Sequence, residues 1–411
     1  MCVVTDLVVL AYSGGLDTSA IVPWLKERYE VDVLCFAADV GQGIDDLVGL
    51  ADKARRSGAV DCVVVDLKEE FVRDFAFPTL RAGAVYSRSY LLGTAMARPA
   101  IAAAQVRVAR EAGAVALVHG CTGKGNDQVR FELTYTALAP ELAVIAPWRE
   151  WEFTGREDLL AYVHAHGVQV DATREKLFSR DRNLWHCSHE GGVLEDLAVE
   201  PPSELFLLTA DPALTPETPV DVTIEFEAGT PVGVDGVPLG PVELVERLND
   251  LAGEHGIGRA DIVEDRLVGM KSRGVYETPA GTVLRAAHRE LEQIVLDRRT
   301  LDLKDSLASR YADLVYEGRW WTPEREALDA LVDVTQRSVT GEVTLRLHRA
   351  TMSVVSRRSA AALYSTDLAT FEADDVYDQA DAGGFIRLFG LPQRLLGEKS
   401  RKDSREHLAL G

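Results

Sequence analysis

The sequence predicts an α/β protein in three parts: an N-terminal domain built on a doubly wound parallel sheet, an α+β domain, and a C-terminal helix. Three observations predict this organisation. Over the first 150 residues, short apolar runs alternate with helix-length amphipathic segments, which is the pattern of βαβ units. The first apolar run leads directly into a glycine-rich loop. From about residue 168 the alternation gives way to polar sequence with prolines, so the predicted boundaries are 1–167, 168–363 and 364–411.

Five apolar runs predict the strands of the N-terminal sheet, because strands covered on both faces are apolar throughout. They cover residues 7–12, 31–40, 62–67, 115–119 and 142–148. Apolar residues at helical spacing predict helices over residues 18–28, 45–57, 99–112 and 155–166. In sheets of this kind, ligands bind where the loops that follow the strands converge.

The second region mixes both kinds of pattern, which indicates an α+β domain. Residues 220–227 and 344–348 alternate as strands do, while residues 242–255 and 288–297 have helical spacing. After an acidic stretch at residues 371–381, one amphipathic segment runs through Phe385, Leu388, Leu391, Leu395 and Leu396. We expect this tail helix to bury its apolar side against a partner subunit.

Composition excludes several classes of protein. The chain has 411 residues, 46% of them hydrophobic and 27% charged, which fits a globular protein of more than one core. A net charge of -21 disfavours nucleic acid as a partner. Five widely spaced cysteines without a metal-binding pattern, no signal sequence and no run of about 18 apolar residues predict a cytoplasmic protein without a membrane span.

The loop at residues 13–19 (SGGLDTS) predicts a site for nucleotide phosphates. It lies between a strand and a helix, where glycines let the backbone approach an anion and the helix N-terminus offers free N–H groups. The hydroxyls of Ser13, Thr18 and Ser19 add further donors. Because the loop has no lysine and only two adjacent glycines, it is neither a GxxxxGK[ST] nor a GxGxxG loop. A bare SGG turn would be ambiguous, but the full segment favours ATP binding, and with it an N-terminal nucleotide-binding domain.

A second polar loop, residues 120–132, follows the predicted strand at 115–119. Three glycines allow it to fold back on itself. Its side chains include Thr122, Asn126, Asp127 and Arg130, which supply a hydroxyl, an amide, a carboxylate and a guanidinium. Such a set suits the ammonium and carboxylate groups of an amino acid.

The first loop resembles that of the ATP pyrophosphatase group, and both loops together resemble the signature segments of the argininosuccinate synthase family. Residues 11–19 (AYSGGLDTS) and 120–132 (GCTGKGNDQVRFE) carry this resemblance. Further similar segments follow in the family's order over almost the whole chain: 90–94 (YLLGT), 97–99 (ARP), 179–184 (SRDRNL), 261–266 (DIVEDR) and 269–277 (GMKSRGVYE).

The resemblance implies an ATP-dependent ligase that joins citrulline to aspartate and releases AMP and pyrophosphate, with Mg²⁺ held through the ATP, in a homotetramer. By matching positions, it implies ATP binding by Ala11, Tyr12, Ser13, Gly14, Gly15, Leu16, Asp17, Thr18, Ser19, Ala38 and Gly120. It implies aspartate binding by Thr122, Asn126 and Asp127. It implies citrulline binding by Tyr90, Asn126, Arg130, Ser179, Ser188, Glu264 and Tyr276. It assigns no dedicated catalytic acid or base and no protein metal ligand.

One position departs from the family's pattern. The family often has a hydroxyl residue five positions after the tyrosine that corresponds to Tyr90, and this chain has Ala95. Backbone or water could replace that hydrogen bond at a cost of about 0.5 to 1.5 kcal/mol. An alternative therefore stays open at this point: an AMP-forming ligase that joins aspartate to another ureido or carboxyl substrate in specialised metabolism.

Overall fold

The computed structural model describes residues 5–123, 125–168, 178–369 and 378–409, with side chains up to residue 401. It consists of two compact units, Met1–Ala361 and Ala362–Gly411. The sheets and the candidate site belong to the first unit, and the second is helical. Within the described ranges, no helix is both long enough and apolar enough to cross a membrane.

The N-terminal domain contains a parallel sheet with the strand order β3-β2-β1-β4-β5. Its strands are β1 (Leu7–Ala11), β2 (Asp32–Asp39), β3 (Asp61–Asp66), β4 (Ala116–Val118) and β5 (Ala143–Ile145). Its α-helices are α1 (Leu16–Tyr29), α2 (Leu50–Arg56), α3 (Lys68–Phe71), α4 (Phe77–Arg81), α5 (Gly93–Glu111), α6 (Asp127–Leu138) and α7 (Arg156–Ala165). The predicted doubly wound parallel sheet is thus confirmed.

The central strand β1 shows why the apolar runs are continuous. Val9 faces a core cluster that includes the buried residues of α5, whereas Val8 and Leu10 face a second cluster that includes those of α1. Successive side chains of a strand point to opposite faces, so a strand with helices on both sides has no polar face. Burial on both faces therefore removes the alternation expected of a half-exposed strand.

The order of the strands places a switch point between β1 and β4. From β1 the chain builds outward through β2 and β3, and it then crosses to the other side of β1 to add β4 and β5. The loops after β1 and β4 therefore leave neighbouring strands and connect to opposite sides, which opens a crevice at the carboxyl edge of the sheet. Both glycine-rich loops singled out in the sequence lie at this crevice.

Two helix predictions need correction. The segment predicted as one helix over residues 45–57 is a short 3₁₀ turn at Ile44–Asp46 followed by α2, because Gly49 adopts a φ of 74° and interrupts the helix. Helix α5 begins at Gly93, ahead of the predicted start at Pro99, so this proline lies inside the helix. Proline normally favours the first turn of a helix, because it has no N–H to donate. Inside α5, the burial of the alanine-rich face in the core offsets the free-energy cost of the hydrogen bond that Pro99 cannot make.

The second domain is α+β, as predicted, and contains two antiparallel sheets. One has the order β11-β12-β7-β6 and the other β10-β9-β8-β13-β14. The strands are β6 (Ser179–Arg182), β7 (Cys187–Glu190), β8 (Val220–Glu227), β9 (Thr230–Val234), β10 (Val237–Pro238), β11 (Arg259–Asp265), β12 (Lys271–Glu277), β13 (Gly341–His348) and β14 (Thr351–Arg358). The helices are α8 (Pro241–Glu254), α9 (Pro279–Val295), α10 (Arg298–Tyr316) and α11 (Pro323–Gln336).

The C-terminal unit contains α12 (Thr366–Ala369), α13 (Ala380–Phe389) and α14 (Leu391–Ala409). The tail predicted as one helix is two, because α13 ends at Gly390 and Pro392 lies in the first turn of α14. Apolar side chains including Phe385, Leu388 and Leu396 are largely exposed on this unit. Most of the predicted acidic stretch at 371–381 lies outside the described residues.

A buried polar network inside the second domain leads to a pH prediction. His288 of α9 donates from Nε2 to Gln336 Oε1 at 2.8 Å, and Gln336 donates to Glu292, which also pairs with Lys304 at 2.9 Å. Burial lowers the pKa of His288 to about 4, from 6.5 in an exposed chain. Between pH 4 and pH 6.5, the unfolded chain therefore binds a proton at His288 that the folded protein does not bind.

We expect the stability contributed by neutral His288 to be complete above pH 6.5 and to be lost as the pH falls toward 4. Thermal melting at pH 7 and pH 5 checks this by comparison with a His288→Gln variant. Between pH 7 and pH 5, the melting temperature of the variant should fall by less than that of the parent. Equal losses in the two proteins would contradict the prediction.

Candidate active site

The loop after β1 ends at an uncapped helix N-terminus. Gly15 occupies the N-cap of α1 without a side-chain hydrogen bond, and Gly14 has a φ of 71° that favours glycine. Within the described chain, the N–H groups of Leu16, Asp17 and Thr18 have no acceptor; the first turn closes only with Ser19 N–H to Gly15 O at 3.0 Å. Free N–H groups and the helix dipole make this point favourable for an anion.

The hydroxyls of this loop divide into two sets. Ser13 is exposed and its Oγ lies 3.2 Å from Thr18 Oγ1, so both can face a ligand in front of α1. Ser19, by contrast, is fully buried and its Oγ bonds the hydroxyl of buried Tyr12 at 3.1 Å. The last serine of the loop and Tyr12 therefore support the loop from beneath.

Asp17, Ala11 and Ala38 complete the predicted ATP set around this loop. Burial raises the pKa of Asp17, and the charge of Arg156 opposes that rise. Ala11 ends β1, and Ala38 lies near the end of the neighbouring β2. All three thus lie at the carboxyl edge of the sheet, as the sequence predicted for a nucleotide site.

Gly120 brings the second loop against the first. A Cβ at this position would lie 3.1 Å from both Ile21 Cδ1 and Thr18 Cγ2, a tight contact, so glycine lets the backbone after β4 approach α1 without displacing these side chains. The two predicted loops are therefore in contact at the switch point.

A Gly120→Val substitution should separate the two loops, because the added methyl groups cannot fit beside Thr18 and Ile21. We expect KM to rise about tenfold for ATP and for the amino-acid nucleophile together, since each is predicted to bind one of the loops. Steady-state kinetics with each substrate varied would check this. A change confined to one of the two KM values would contradict it.

Side chains of the second loop are tied to other parts of the site. Asn126 is buried; its Nδ2 donates to the Tyr316 hydroxyl at 2.8 Å and its Oδ1 accepts from Leu267 N–H at 2.9 Å. Asp127 accepts from Arg98 Nε at 2.8 Å and from Arg130 Nη1 at 3.0 Å. Burial would raise the pKa of Asp127, but the charges of these two arginines outweigh it and lower the pKa. Thr122 is exposed at the mouth of the loop.

The four-stranded sheet gathers the predicted residues of the second domain on one face. Ser188 of β7 lies opposite Tyr276 of β12 and opposite Asp181 of β6, and directly paired residues share a face. Residues two or four positions along a strand share it as well, which adds Ser179 and Glu190. On β11, Ala260 pairs with Tyr276, so Glu264 four residues later joins the same face.

Glu264 is the most unusual group on that face. Its side chain is only 4% exposed; Tyr276 donates to Oε1 at 3.3 Å, while Oε2 is buried with no partner in the described residues. Burial, reinforced by the charge of Glu190 and opposed by that of Arg130, raises the pKa of this carboxyl. A buried carboxylate oxygen without a donor is costly, so the arrangement favours a cationic ligand at this point.

Tyr90 connects this face to α5. Its ring packs on that of Tyr276, with centroids 4.6 Å apart, and its hydroxyl accepts from Thr94 N–H at 3.2 Å. The hydroxyl proton of Tyr90 is thereby left for another acceptor. Ala95, the departure noted in the sequence, is fully buried in the apolar core.

The structure also adds residues that the sequence analysis did not assign. Arg98 and Asp181 lie within quoted family segments, 97–99 and 179–184, but only the fold shows them ion-paired at 2.9 Å. Thr94 bonds Asp181 at 2.7 Å and His186 at 3.0 Å. No periodicity in the sequence could indicate these partners, because they come from three separate elements.

The opposite face of the same sheet has a structural role. His189 bonds Glu277 at 2.9 Å, and Glu277 also accepts from the N–H groups of Leu207, Leu208 and Thr209. Cys187 lies with them, its ligand atom within 4.8 Å of theirs, but the oxygens of Glu277 are already saturated. His186 and His189 are both fully buried.

A nucleotide-type parallel sheet whose switch point joins a glycine loop at a free helix N-terminus to a polar pocket is typical of an ATP-dependent enzyme. The family models agree: residues 7–169 match the arginosuccinate synthase N-terminal HUP domain, and residues 178–396 match the arginosuccinate synthase C-terminal domain. The chain belongs to the argininosuccinate synthase family.

Curated relatives agree over nearly the full chain. An argininosuccinate synthase of Roseiflexus sp. (strain RS-1) is 60% identical over 96% of this chain and 98% of its own length. The chloroplastic argininosuccinate synthase of Arabidopsis thaliana is 58% identical over 94% of this chain and 78% of its own length. A third, from Roseiflexus castenholzii, is 59% identical over 94% of this chain and 96% of its own length.

Proposed function

We propose that this chain joins L-citrulline to L-aspartate at the expense of ATP, giving argininosuccinate, AMP and pyrophosphate in arginine biosynthesis. The observation that carries the proposal is the unpartnered carboxylate oxygen of buried Glu264, beside Tyr276 and near Arg130. A carboxylate and a guanidinium in one pocket suit the ammonium and carboxylate of a free α-amino acid. The family membership supplies the identity of that amino acid.

In this proposal ATP lies in front of α1. The free N–H groups of Leu16, Asp17 and Thr18 and the hydroxyl of Ser13 bind its phosphates, with Gly120 against the same loop. Ala11, Asp17 and Ala38 line the nucleotide, while buried Tyr12 and Ser19 support the loop from beneath. Because the donors of the loop suit phosphate oxygens, Mg²⁺ would be held through the ATP and would supply positive charge to the departing pyrophosphate.

Citrulline lies on the face of the four-stranded sheet that carries Ser188, Tyr276 and Glu264. Glu264 binds its ammonium group and Arg130 its carboxylate, while Tyr90 directs its free hydroxyl proton toward the ligand. Ser188, Tyr276 and Asn126 line the pocket, and exposed Ser179 lies at its edge. The neutral methyl group of Ala95 is buried in the core, and we assign it no ligand contact.

Aspartate lies at the second loop, with Thr122 and Asn126 around it and ionised Asp127 as the partner of its ammonium group. The two amino acids then meet between α6 and the sheet. Holding both reactants in one orientation can supply up to about 7 to 11 kcal/mol of the barrier reduction.

The reaction has two steps in this arrangement. The ureido oxygen of citrulline attacks the α-phosphate, pyrophosphate leaves, and citrullyl-AMP forms with a good leaving group on the ureido carbon. The aspartate amine then attacks that carbon and AMP leaves. Donors at the N-terminus of α1 stabilise the charge that develops on the phosphates in the first step.

A substrate screen tests the proposal. Purified protein with ATP and Mg²⁺ should form AMP when citrulline and aspartate are both present, and argininosuccinate should appear in equal amount by mass spectrometry. Omitting either amino acid should abolish net turnover. AMP formed with aspartate and a different ureido or carboxyl compound, but not with citrulline, would replace this function by the alternative ligase.

We also propose that the chain is a homotetramer in the cytoplasm and that the C-terminal helices contribute to assembly. Exposed Phe385, Leu388 and Leu396 support this, because such apolar side chains normally seek a partner surface. Deleting residues 385–411 should lower the mass measured by light scattering. An unchanged mass would contradict the role of these helices.

A further inference from the structure

A chain of hydrogen bonds runs from the sheet that carries the citrulline pocket to the loop that carries the aspartate pocket. We call it the Thr94 chain; its members are His186, Thr94, Asp181, Arg98 and Asp127. His186 Nε2 lies 3.0 Å from Thr94 Oγ1, which lies 2.7 Å from Asp181 Oδ2. Arg98 donates from Nη2 to Asp181 at 2.9 Å and from Nε to Asp127 at 2.8 Å. The Thr94 chain thus connects α5, β6 and α6 with His186, the residue directly before β7.

The direction of these bonds follows from the chemistry of the groups. The carboxylate of Asp181 can only accept, so the single proton of the Thr94 hydroxyl points toward it. The Thr94 oxygen must then accept from His186, which fixes the ring as the Nε2–H form. Burial lowers the pKa of His186 to about 4, so the ring is neutral at neutral pH. Only a hydroxyl at position 94 can donate to one neighbour and accept from the other.

Charges alternate along the Thr94 chain, and Arg130 beside it balances the second carboxylate. Arg98 lies between the carboxylates of Asp127 and Asp181, and Asp127 lies between the guanidiniums of Arg98 and Arg130. Thr94 and Arg98 are four residues apart on α5 and so project from one side of the helix. Without the bond from Thr94, Asp181 would keep Arg98 in place less firmly, and Asp127 would lose one of its two fixed donors.

His186 also contacts the citrulline side directly. Its ring stacks on that of Tyr276, at 6.1 Å between centroids and 14° between planes, and lies 6.3 Å from the Tyr90 ring. Its Nδ1 is buried without a partner in the described chain. The ring of His186 therefore lies between the proposed citrulline pocket and Thr94.

We propose that the Thr94 hydroxyl is a positioning residue for the second step of the reaction, because it sets the distance between the aspartate-binding carboxylate and the citrulline pocket. The inference rests on the proposed function, since it assumes that Asp127 binds the nucleophile. Attack by an amine on a bound carbon is sensitive to displacements of about 1 Å. The first step, on the far side at α1, does not use the Thr94 chain.

Thr94→Val and Thr94→Ser test this, because valine keeps the shape and loses the hydroxyl while serine keeps the hydroxyl. Two activities are measured on each: citrulline-dependent exchange of labelled pyrophosphate into ATP, which reports the first step without aspartate, and argininosuccinate formation. Thr94→Val should keep the exchange within about twofold and lower kcat/KM for aspartate about tenfold. Thr94→Ser should restore most of that loss.

Thr79→Val is the matched control. Thr79 is a buried helical threonine whose hydroxyl donates to Phe75 O at 2.7 Å, away from the site, and its loss should change neither activity. Equal loss of both activities in Thr94→Val, or no rescue by serine, would overturn the inference. If Thr94→Val fails to fold, Asp181→Asn decides: an unchanged KM for aspartate there would also overturn it. Absence of citrulline-dependent exchange in the parent would count against the proposed function instead.

Discussion

A Glu264→Gln variant is expected to lose about a hundredfold in kcat/KM for citrulline and yet to unfold at the temperature of the parent protein or above it. The loss follows because the amide cannot pair with an ammonium group and presents donors to it. The stability follows because ionised Glu264 has a buried oxygen without a partner. A buried carboxylate oxygen that costs stability and has no partner is typical of a binding site.

The pH dependence of kcat/KM for citrulline in the parent protein should report the ionisation of Glu264. Burial raises the pKa of Glu264 above its ordinary 4.5, so its cost in stability begins as the pH rises through about 4.5 and is complete above the raised pKa. Citrulline needs the ionised form, so kcat/KM for citrulline should rise as the pH rises through this pKa. In Glu264→Gln that rise should disappear.

Kinetics with citrulline varied at saturating ATP and aspartate, together with thermal melting, measure both effects. Asp265→Asn is the control, because the neighbouring carboxylate is 70% exposed and, among the described residues, pairs with Lys271 on the surface. It should change neither the kinetics nor the melting temperature appreciably. If kcat/KM for citrulline in Glu264→Gln lies within about threefold of the parent value, Glu264 does not bind citrulline.

A Gly15→Asp variant is expected to bind ATP at least about a hundredfold more weakly while its fold is slightly stabilised. Gly15 has a φ of -72° and a Cβ there would meet only Ser13 Oγ, at 3.4 Å, so a side chain fits. Aspartate is a favoured N-cap, and it would accept from the free N–H groups of α1 and stabilise the helix by about 0.5 to 1 kcal/mol. The same carboxylate would occupy the proposed phosphate site and repel the phosphates of ATP by its negative charge.

Isothermal titration with ATP and Mg²⁺ measures the binding, and thermal melting measures the fold. Gly15→Ala is the matched control, because it adds the Cβ without the charge and should bind ATP within about threefold of the parent. If Gly15→Asp binds ATP as the parent does, the N-terminus of α1 does not face the phosphates. A destabilised Gly15→Asp protein would instead show that the cap geometry is misassigned.

Much of the N-terminal domain could be predicted because its signals are local. Apolar runs of strand length at residues 31–40 and 62–67 became β2 and β3, and the glycine loop at residues 13–19 became the turn into α1. Each depends on neighbours within a few residues, so pattern and propensity suffice. The boundaries of α5 could not be predicted, since packing in the core overrides the preference of Pro99 for a first turn.

Other contacts of the site depend on residues far apart in the chain. Asn126 bonds Tyr316, and Thr94 bonds Asp181 and His186, across separations that no periodicity reveals. The common face of Ser188, Tyr276 and Glu264 depends on the register of three antiparallel strands, where a slip of one residue would turn every side chain over.

The sequence by itself determined the parallel sheet and, through its resemblance, the family, and it predicted that the loop at residues 13–19 binds an anion. Only the tertiary structure decided that Ser19 supports the loop from beneath while Ser13 faces outward, and that Glu264 keeps a buried oxygen without a partner. The physical reason is that a hydroxyl or carboxylate gains its role from its burial and its donors, and both are set by distant segments that fold against it.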